Sequence, residues 1–301
     1  GFEHLRLRPF SATANSKELT PVNNYGKDQT WQERKILLEK ILENHFDFLI
    51  TEYYPFARGE FQLEVDFILQ SLRKNNSNIK VFCSVRDILN EKLLNTEASI
   101  QEKLLENYDA VLVHCSEEDE RKIALKVNIP LHYTGYISSP RKRKDVKGDG
   151  ICISCGGGRF LEEFLKQIKD FIHFFQDKGE AVKILPGPWG SYSQVDLNNQ
   201  VEIIHHSNDL EDVLSSSKLY IGTFGYNTAV ALAKYQVNSL IHPFDGFSEQ
   251  EERLKSFKKY LNLQRLDQSI HFDSLQFSEK PTDIIELDGA RKTREIIGTY
   301  L

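Results

Sequence analysis

Methionine is missing from all 301 residues, the first included. Gly1 is therefore not an initiator. The expectation is that an N-terminal segment precedes it and that methionines have dropped out of the written sequence, leaving some spacings short by one. Cysteine is scarce, and Cys83, Cys115, Cys152 and Cys155 all fall in strand-like apolar runs. That excludes a disulfide framework and fits reduced, buried thiols in a cytoplasmic protein. Cys152 and Cys155 have the spacing of half a zinc site, but an extended strand points them to opposite faces and no second pair accompanies them. No apolar run approaches the length of a membrane span, and no signal-peptide pattern occurs. Basic charge is in deficit, with 38 Lys and Arg against 44 Asp and Glu, which argues against a general nucleic-acid binder. Walker-type P-loop, nucleophile-elbow and HExxH patterns are all missing.

What remains is a composition of soluble globular type, 40% hydrophobic and 27% charged, long enough for two domains. The stretch around which the chain is organised runs from Ile151 to Phe160, ICISCGGGRF. A buried-strand run enters Gly156, Gly157 and Gly158, and the periodicity from Phe160 to Phe175 predicts an amphipathic helix. Strand, glycine turn and helix N-terminus together can form an anion site, since glycines let backbone N–H groups approach a phosphate and the helix end adds a positive dipole. The same pattern also arises from tight packing alone.

Upstream, the pattern predicts a strand over Glu3 to Pro9, a polar loop over Ser11 to Asp28, and a helix over Trp31 to Asn44. That helix places Ile36, Leu37, Leu38, Ile41 and Leu42 on one stripe. Strands follow over Phe46 to Thr51, Ile79 to Val85, Asp109 to His114 and Leu131 to Thr134, with helices over Phe61 to Lys74, Glu91 to Asn107 and Glu117 to Val127 between them. Such alternation means a mostly parallel sheet covered on both faces. Ligands of these sheets bind beyond the carboxyl ends of the strands. Three pairs sit there: Glu52 with Arg58, Arg86 with Asp87, and His114 with Ser116. Glu52 is a candidate general base and Arg86 a candidate catalytic group; the plainer reading is that Glu52 caps its loop or pairs with Arg58 or Arg86.

Residues 140–149 read as a charged linker between an N-terminal domain over 1–139 and a C-terminal domain over 150–301. Its basic run could touch anionic lipid heads, so contact with a membrane would be peripheral at most; a solvated linker face is the plainer reading. Alternation then resumes, with strands over Ala181 to Leu185, Val201 to Ile204, Leu219 to Ile221 and Ser239 to His242. Asn208 or Asp209 suits the N-cap of a helix over Leu210 to Ser215. A second glycine turn, Gly222 to Thr228, carries the hydroxyls of Thr223 and Thr228 and leads into a helix over Ala229 to Tyr235. Two such turns on neighbouring parallel strands could hold one diphosphate. Helices over Arg253 to Leu261 and Leu287 to Leu301 complete the chain, the last a candidate to pack back across the domain interface. His205 and His206 lack a carboxylate at ligand spacing, and no metal is expected.

The string Gly225-Tyr226-Asn227-Thr228, then His242-Pro243, then Glu249-Gln250, resembles the donor-binding half of two-domain GT-B glycosyltransferases. The likeness is to the MurG-like group and to predicted bacterial glycosyltransferases sharing its family 28 C-terminal domain. In the first half, Leu49 to Arg58, Ser84 to Ile88 and Thr134 to Ile137 look like segments of those enzymes. The resemblance implies an α/β fold with two Rossmann-like domains whose parallel sheets face a cleft, and a metal-independent, inverting transfer of a hexosyl or N-acetylhexosaminyl group from a nucleoside diphosphate, UDP foremost. The acceptor would be lipid-linked or a small glycan.

Carried over by position, Gly156, Gly157, Gly158 and Arg159 would face the diphosphate with Thr223, Gly225, Tyr226, Asn227 and Thr228. His206, Ser207 and Leu210 would line the base pocket, and Glu249 and Gln250 would hydrogen-bond the sugar. Two departures stand out. Ala231 occupies the position of the family's ribose-binding glutamate, and the family's first strand with its glycine loop should precede Gly1, so the first domain reads as N-terminally incomplete. Two rival expectations share the fold. One is a nucleotide-sugar hydrolase or epimerase, the other a non-catalytic nucleotide-sugar-binding protein, in which restoring glutamate at position 231 should tighten nucleotide binding.

Overall fold

The computed structural model describes residues 7, 10–11, 20–21, 27–87, 98–118, 127–139, 148, 150–158, 160–193, 195, 197, 201–205, 210–243, 248–266, 275–277, 281 and 283–301. The strand expected over Glu3 to Pro9 lies outside them except for Leu7. So do most of the helix expected over Glu117 to Val127, nearly all of the linker, Asn208 and Asp209, and the site residues Arg159, His206 and Ser207.

Two short strands, β1 (Phe10–Ser11) and β2 (Thr20–Pro21), pair antiparallel, Ser11 and all of β2 falling inside the stretch from Ser11 to Asp28 expected to be loop. Helix α1 (Lys27–Leu42) follows. Its inward face differs from the expected stripe: Leu38 and Leu42 are buried, whereas Ile36 is 62% exposed. At 100° per residue, Leu38 and Leu42 share a face with Arg34, not with Ile36. Arg34 is indeed buried, and forms a two-pronged ion pair with Glu64 at 2.6 and 2.7 Å.

The first sheet is wholly parallel, in the order β3 (Phe48–Glu52), β4 (Lys80–Val85), β5 (Ala110–Val113), β6 (Leu131–Tyr133). Helix α2 (Gln62–Asn75) links β3 to β4, and α3 (Ala98–Asn107) precedes β5. Every residue of β5 is buried, the continuous apolar pattern of a strand covered on both faces.

The second sheet contains β7 (Gly150–Ser154), β8 (Val182–Leu185), β9 (Val201–Ile203), β10 (Ser217–Gly222), β11 (Asn238–Ile241) and β12 (Leu263–Arg265). All its pairings are parallel, in the spatial order β12-β11-β10-β7-β8-β9. Numbered within the domain this is 6-5-4-1-2-3, the doubly wound dinucleotide-fold order, which reverses direction between β7 and β10. The helix expected from Phe160 to Phe175 divides at Ile168 into α4 (Leu161–Gln167) and α5 (Lys169–Asp177). Backbone bonds from Ile168 to Phe164 and from Ile172 to Ile168 carry the same buried stripe across the joint. The remaining helices are α6 (Leu210–Ser215), α7 (Tyr226–Tyr235), α8 (Ser248–Phe257) and α9 (Gly289–Gly298). Cys152 and Cys155 belong to two different core clusters, one on each side of the sheet, and both are buried.

Helix α9 lies on the first sheet, although it ends the chain. Ile297 joins Phe82, Ala110 and Leu112 in a buried cluster, the Tyr300 ring meets Phe82 edge-on at 5.3 Å, and its hydroxyl is 2.9 Å from His132 Nε2. The crossing segment is pinned where Ile137 bridges Asp288 and the Gly289 N–H donates to the Tyr136 carbonyl. Among the described residues no helix is long and apolar enough to cross a membrane. Truncating Ile297→Ala should cost about 2–5 kcal/mol, read as a lower denaturant midpoint with an unchanged slope; a loss under about 0.5 kcal/mol would show that α9 contributes little to the first domain.

Candidate functional site

The carboxyl ends of β7 and β10 meet at the point where strand order reverses. Ser154 on β7 is in register with Gly222 on β10. A Cβ on Gly222 would fall 1.8 Å from the Ser154 carbonyl oxygen, so only glycine allows this approach. The Thr223 N–H donates to that carbonyl at 3.2 Å, and the Tyr220 hydroxyl lies 2.9 Å from it and 2.8 Å from the Thr223 carbonyl. The two glycine turns are thus joined through backbone, and a Cβ on Gly156 would come to 3.8 Å from Thr223 Oγ1.

The three glycines of the first turn differ in their surroundings. Gly156 and Gly157 are exposed, while Gly158 is buried. A Cβ on Gly158 would strike the Pro186 carbonyl at 1.9 Å, and one on Gly187 would strike the Gly156 carbonyl at 2.3 Å. Gly158 therefore serves the interlock with the loop after β8, which corrects the expectation that all three face a phosphate. The second turn divides in the same way. Thr223, Thr228 and Tyr226 are buried, whereas Gly225 and Asn227 are exposed. Tyr226 does not point outward: its hydroxyl accepts from the Ile137 N–H and donates to the His114 carbonyl, both at 3.0 Å, tying the turn to the first domain. Gly225 is the N-cap of α7 with φ −66° and no side-chain cap. Among the described residues, nothing lies within 4 Å of where its Cβ would be. The first-turn N–H groups of a helix have no intrahelical partner, so this end is open to an anion.

On α8, Glu249 is exposed, but Gln250 is buried and its Oε1 accepts from the Phe224 N–H at 3.0 Å. Gln250 holds the turn in place where a sugar contact was expected. Arg253 does the same from the next helical turn. Its Nε and Nη2 donate to Asp87 at 2.7 and 2.8 Å, its Nη1 to the Phe224 carbonyl at 2.8 Å, and the paired side chains are 4% and 3% exposed. Leu210 is half-buried and packs on the core. Ala231 is buried on α7, so a glutamate there would enter the core. That overturns the idea that restoring it would reach a nucleotide.

Opposite, the carboxyl edge of the first sheet carries a polar row. Glu52 is in register with Ser84, and the pairings continue toward His114 and Thr134. Glu52 pairs with Arg86 at 2.7 Å, both well exposed, which realises the pairing alternative. Ser84 Oγ is 2.7 Å from His114 Nε2, and His114 Nδ1 is 2.8 Å from Thr134 Oγ1. Thr134 Oγ1 also lies 3.0 Å from the Gly135 carbonyl and 3.3 Å from that of Val113. Carbonyls only accept, so they take the threonine proton, and Thr134 must accept from His114. This sets the tautomer: Nδ1 carries the hydrogen, Nε2 accepts from Ser84, and the Ser84 lone pairs remain to accept from a ligand. Burial holds the His114 pKa down at about 4; Arg86 adds to this and Glu52 opposes it.

Tyr53 stands between the two edges with φ 64°, a left-handed conformation few non-glycine residues adopt. Burial raises its hydroxyl pKa to about 12; Arg86 and Arg253 pull it down, and Asp87 and Glu249 push it up. Sequence periodicity had no signal for Tyr53, Ser84 or Thr134. Among the described residues no group of three or more His, Cys, Asp or Glu is placed to hold a metal. A separate cavity of about 340 Å³ lies between α1 and α2, lined by Trp31, Lys35, Leu38, Leu63, Glu64 and Phe67.

No protein-family model and no curated protein matches the chain. Among solved structures it is similar to the glycotransferase of kitacinnamycin, at 12% identity over 80% of this chain and 71% of that one, with a TM-score of 0.49. It is also similar to the glycosyltransferase SnogD from Streptomyces nogalater, at 9% identity over 79% and 68% of the two chains, TM-score 0.45. A third is the spinosyn rhamnosyltransferase SpnG complexed with thymidine diphosphate, at 12% identity over 78% and 64%, TM-score 0.48.

Two predictions follow from this geometry. Asp87→Ala strands a buried guanidinium and should cost about 3–5 kcal/mol, whereas replacing both partners, Asp87→Leu with Arg253→Met, should recover most of it in denaturant unfolding. For His114, the native state binds fewer protons than the unfolded state between pH 6.5 and about 4. Its contribution is therefore present above pH 6.5 and lost as pH falls through that window, by about 3 kcal/mol. Nitrogen-15 NMR of His114 should show the Nδ1–H tautomer; Thr134→Val should mix the tautomers, and His114→Asn should flatten the stability slope between pH 6.5 and 4.

Proposed function

We propose that the chain is an inverting glycosyltransferase, related to the MurG-like group, that takes its sugar from a nucleoside diphosphate. The observation that supports this reading is the junction of two glycine turns at the switch point between β7 and β10, beside an α7 N-terminus that is uncapped and unobstructed among the described residues. Ligands of doubly wound sheets bind at such a crevice. Gly156 and Gly157 on one side, and Gly225 with Asn227 on the other, are the exposed positions of that mouth.

As the anomeric C–O bond breaks, negative charge grows on the departing diphosphate. The α7 N–H groups and helix dipole stabilise that charge without needing to reorganise. A bound metal is not required in this scheme. Glu249, exposed at the start of α8, hydrogen-bonds the sugar hydroxyls in this scheme. The acceptor lies against the edge of the first sheet, where Ser84 accepts a hydrogen bond from a hydroxyl other than the attacking one, and Glu52, once released from its ion pair with Arg86, accepts from the attacking hydroxyl. Its oxygen attacks the anomeric carbon, the diphosphate leaves from the opposite face, and Glu52 takes the proton.

The test is thermal denaturation of the whole chain with UDP, TDP and inorganic pyrophosphate. Near a hundredfold excess over Kd, binding should stabilise by about 2.7 kcal/mol, raising the midpoint by several degrees, with or without EDTA. Gly225→Val occupies open space in a backbone conformation valine tolerates. It should leave the unliganded midpoint within about 2 °C and abolish the rise. A full response in the valine variant would remove this mouth from the account.

A further inference from the structure

Arg86 stands one residue beyond β4, and its guanidinium is closed onto the Glu52 carboxylate at 2.7 Å. While that contact holds, a cation occupies the place where the attacking hydroxyl has to come. The lock is weak. Its two side chains are 40% and 54% exposed, and ion pairs in contact with water gain little over the separated charges. A partner of higher charge within reach of the guanidinium would draw it away.

The bonds on either side of Arg86 show where such a partner would stand. The Val85 carbonyl accepts from the His114 N–H at 2.9 Å, and the His114 carbonyl accepts from the Tyr226 hydroxyl at 3.0 Å. On the other side, Arg253 grips the Asp87 carboxylate and donates through Nη1 to the Phe224 carbonyl at 2.8 Å. The two neighbours of Arg86 are thus tied to the two neighbours of Gly225, which sets Arg86 across the interface from the N-terminus of α7. Its charge is felt there: burial pushes the Tyr226 hydroxyl pKa up, and Arg86 is among the groups that pull it back. The guanidinium also lies 5.8 Å from the centroid of the Tyr53 ring, a flat face on which it can turn without losing its cation–π contact. Arg253, the other cation of this corner, cannot answer an anion. Its side chain is 4% exposed and already makes three hydrogen bonds.

We infer that Arg86 is a two-position residue, which leaves Glu52 for the diphosphate when the donor binds and so frees the base only once a donor is in place. This rests on the glycosyl-transfer reading above and adds to it the step that couples the two sides of the cleft. A guanidinium stays charged throughout, and its planar fork fits phosphate oxygens as well as carboxylate ones. The bonds made and broken are unchanged: the hydroxyl proton passes to Glu52, and the electron pair of the broken anomeric bond goes to the diphosphate. Charge growing on that leaving group holds Arg86 away from Glu52 while the proton arrives.

The exchange is tested by a mutant cycle that needs no acceptor, with calorimetric titration of UDP and of inorganic pyrophosphate into the whole chain. Glu52→Gln should lower the Kd for either ligand by about 2- to 5-fold, because Arg86 then has no ion pair to leave. Arg86→Gln should raise it by about 10-fold or more, and Arg86→Lys by less. In the Arg86→Gln background, Glu52→Gln should change the Kd by no more than about 1.5-fold, since the two residues act as one unit. Both positions are exposed, so the unliganded melting midpoints should stay within about 2 °C of one another. Equal tightening by Glu52→Gln with and without Arg86 would mean simple relief of repulsion; it overturns the exchange and spares the phosphate site. An unchanged Kd in Arg86→Gln does the same. If UDP, TDP and pyrophosphate all fail to bind the unsubstituted chain, the nucleotide reading fails and the exchange with it.

Discussion

The close approach of β10 to β7 at Gly222 governs the architecture of the site. A side chain at that position would enter the Ser154 carbonyl, so the two strands could not run in register to their carboxyl ends. The backbone bond from Thr223 to Ser154, the tyrosine hydroxyl beneath it and the adjacency of the two glycine turns all depend on that contact. In a doubly wound sheet the two central strands send their connections to opposite sides. The gap between the departing helices is what becomes the mouth.

A second constraint joins the halves. One hydrophobic cluster runs from Val81 and Val113 in the first domain to Leu232 and Phe257 in the second, and Tyr136 meets the rings of Phe257 and Tyr226 at 5.3 and 6.1 Å. The buried Asp87–Arg253 pair lies in the same interface, and Arg253 also holds the Phe224 carbonyl. A buried ion pair gains little net stability over apolar residues of equal volume, but it is intolerant of misplacement. Its effect here is positional. The turn that presents Gly225 is held by Gln250, Arg253 and Tyr226 at once, two of which reach the first domain. The residues recognised as a motif therefore divide by direction: Tyr226, Thr228 and Gln250 are buried and brace the turn, and Gly225, Asn227 and Glu249 are exposed beside it.

Alternation of strands and helices, the buried thiols on opposite faces and the two glycine turns were legible because they rest on local periodicity and on residue types with few conformational alternatives. Periodicity failed where two readings share one pattern. Ile36 and Leu37 look like core on a helical wheel, but the stripe that packs also carries Arg34, whose charge is cancelled by Glu64 from another helix. Tyr226 and Gln250 resemble ligand contacts, yet their partners, Ile137, His114 and Phe224, are remote in sequence for the first two and known only from folding for the third. Ser84, His114 and Thr134 were each singled out separately in the sequence, but nothing there joined them into one row, since they stand near the carboxyl ends of three different strands and are brought together by register.

The linear sequence determined the α/β alternation, where the turns fall and which of them must be glycine, because backbone freedom and side-chain period act between near neighbours. Only tertiary structure decided the strand order that sets β7 against β10, the return of α9 to the first sheet, the tautomer of His114 and the division of the motif residues into buried supports and an open rim. Those depend on contacts between segments far apart in the chain, where burial and hydrogen-bond satisfaction are settled jointly by every strand that meets at the same edge.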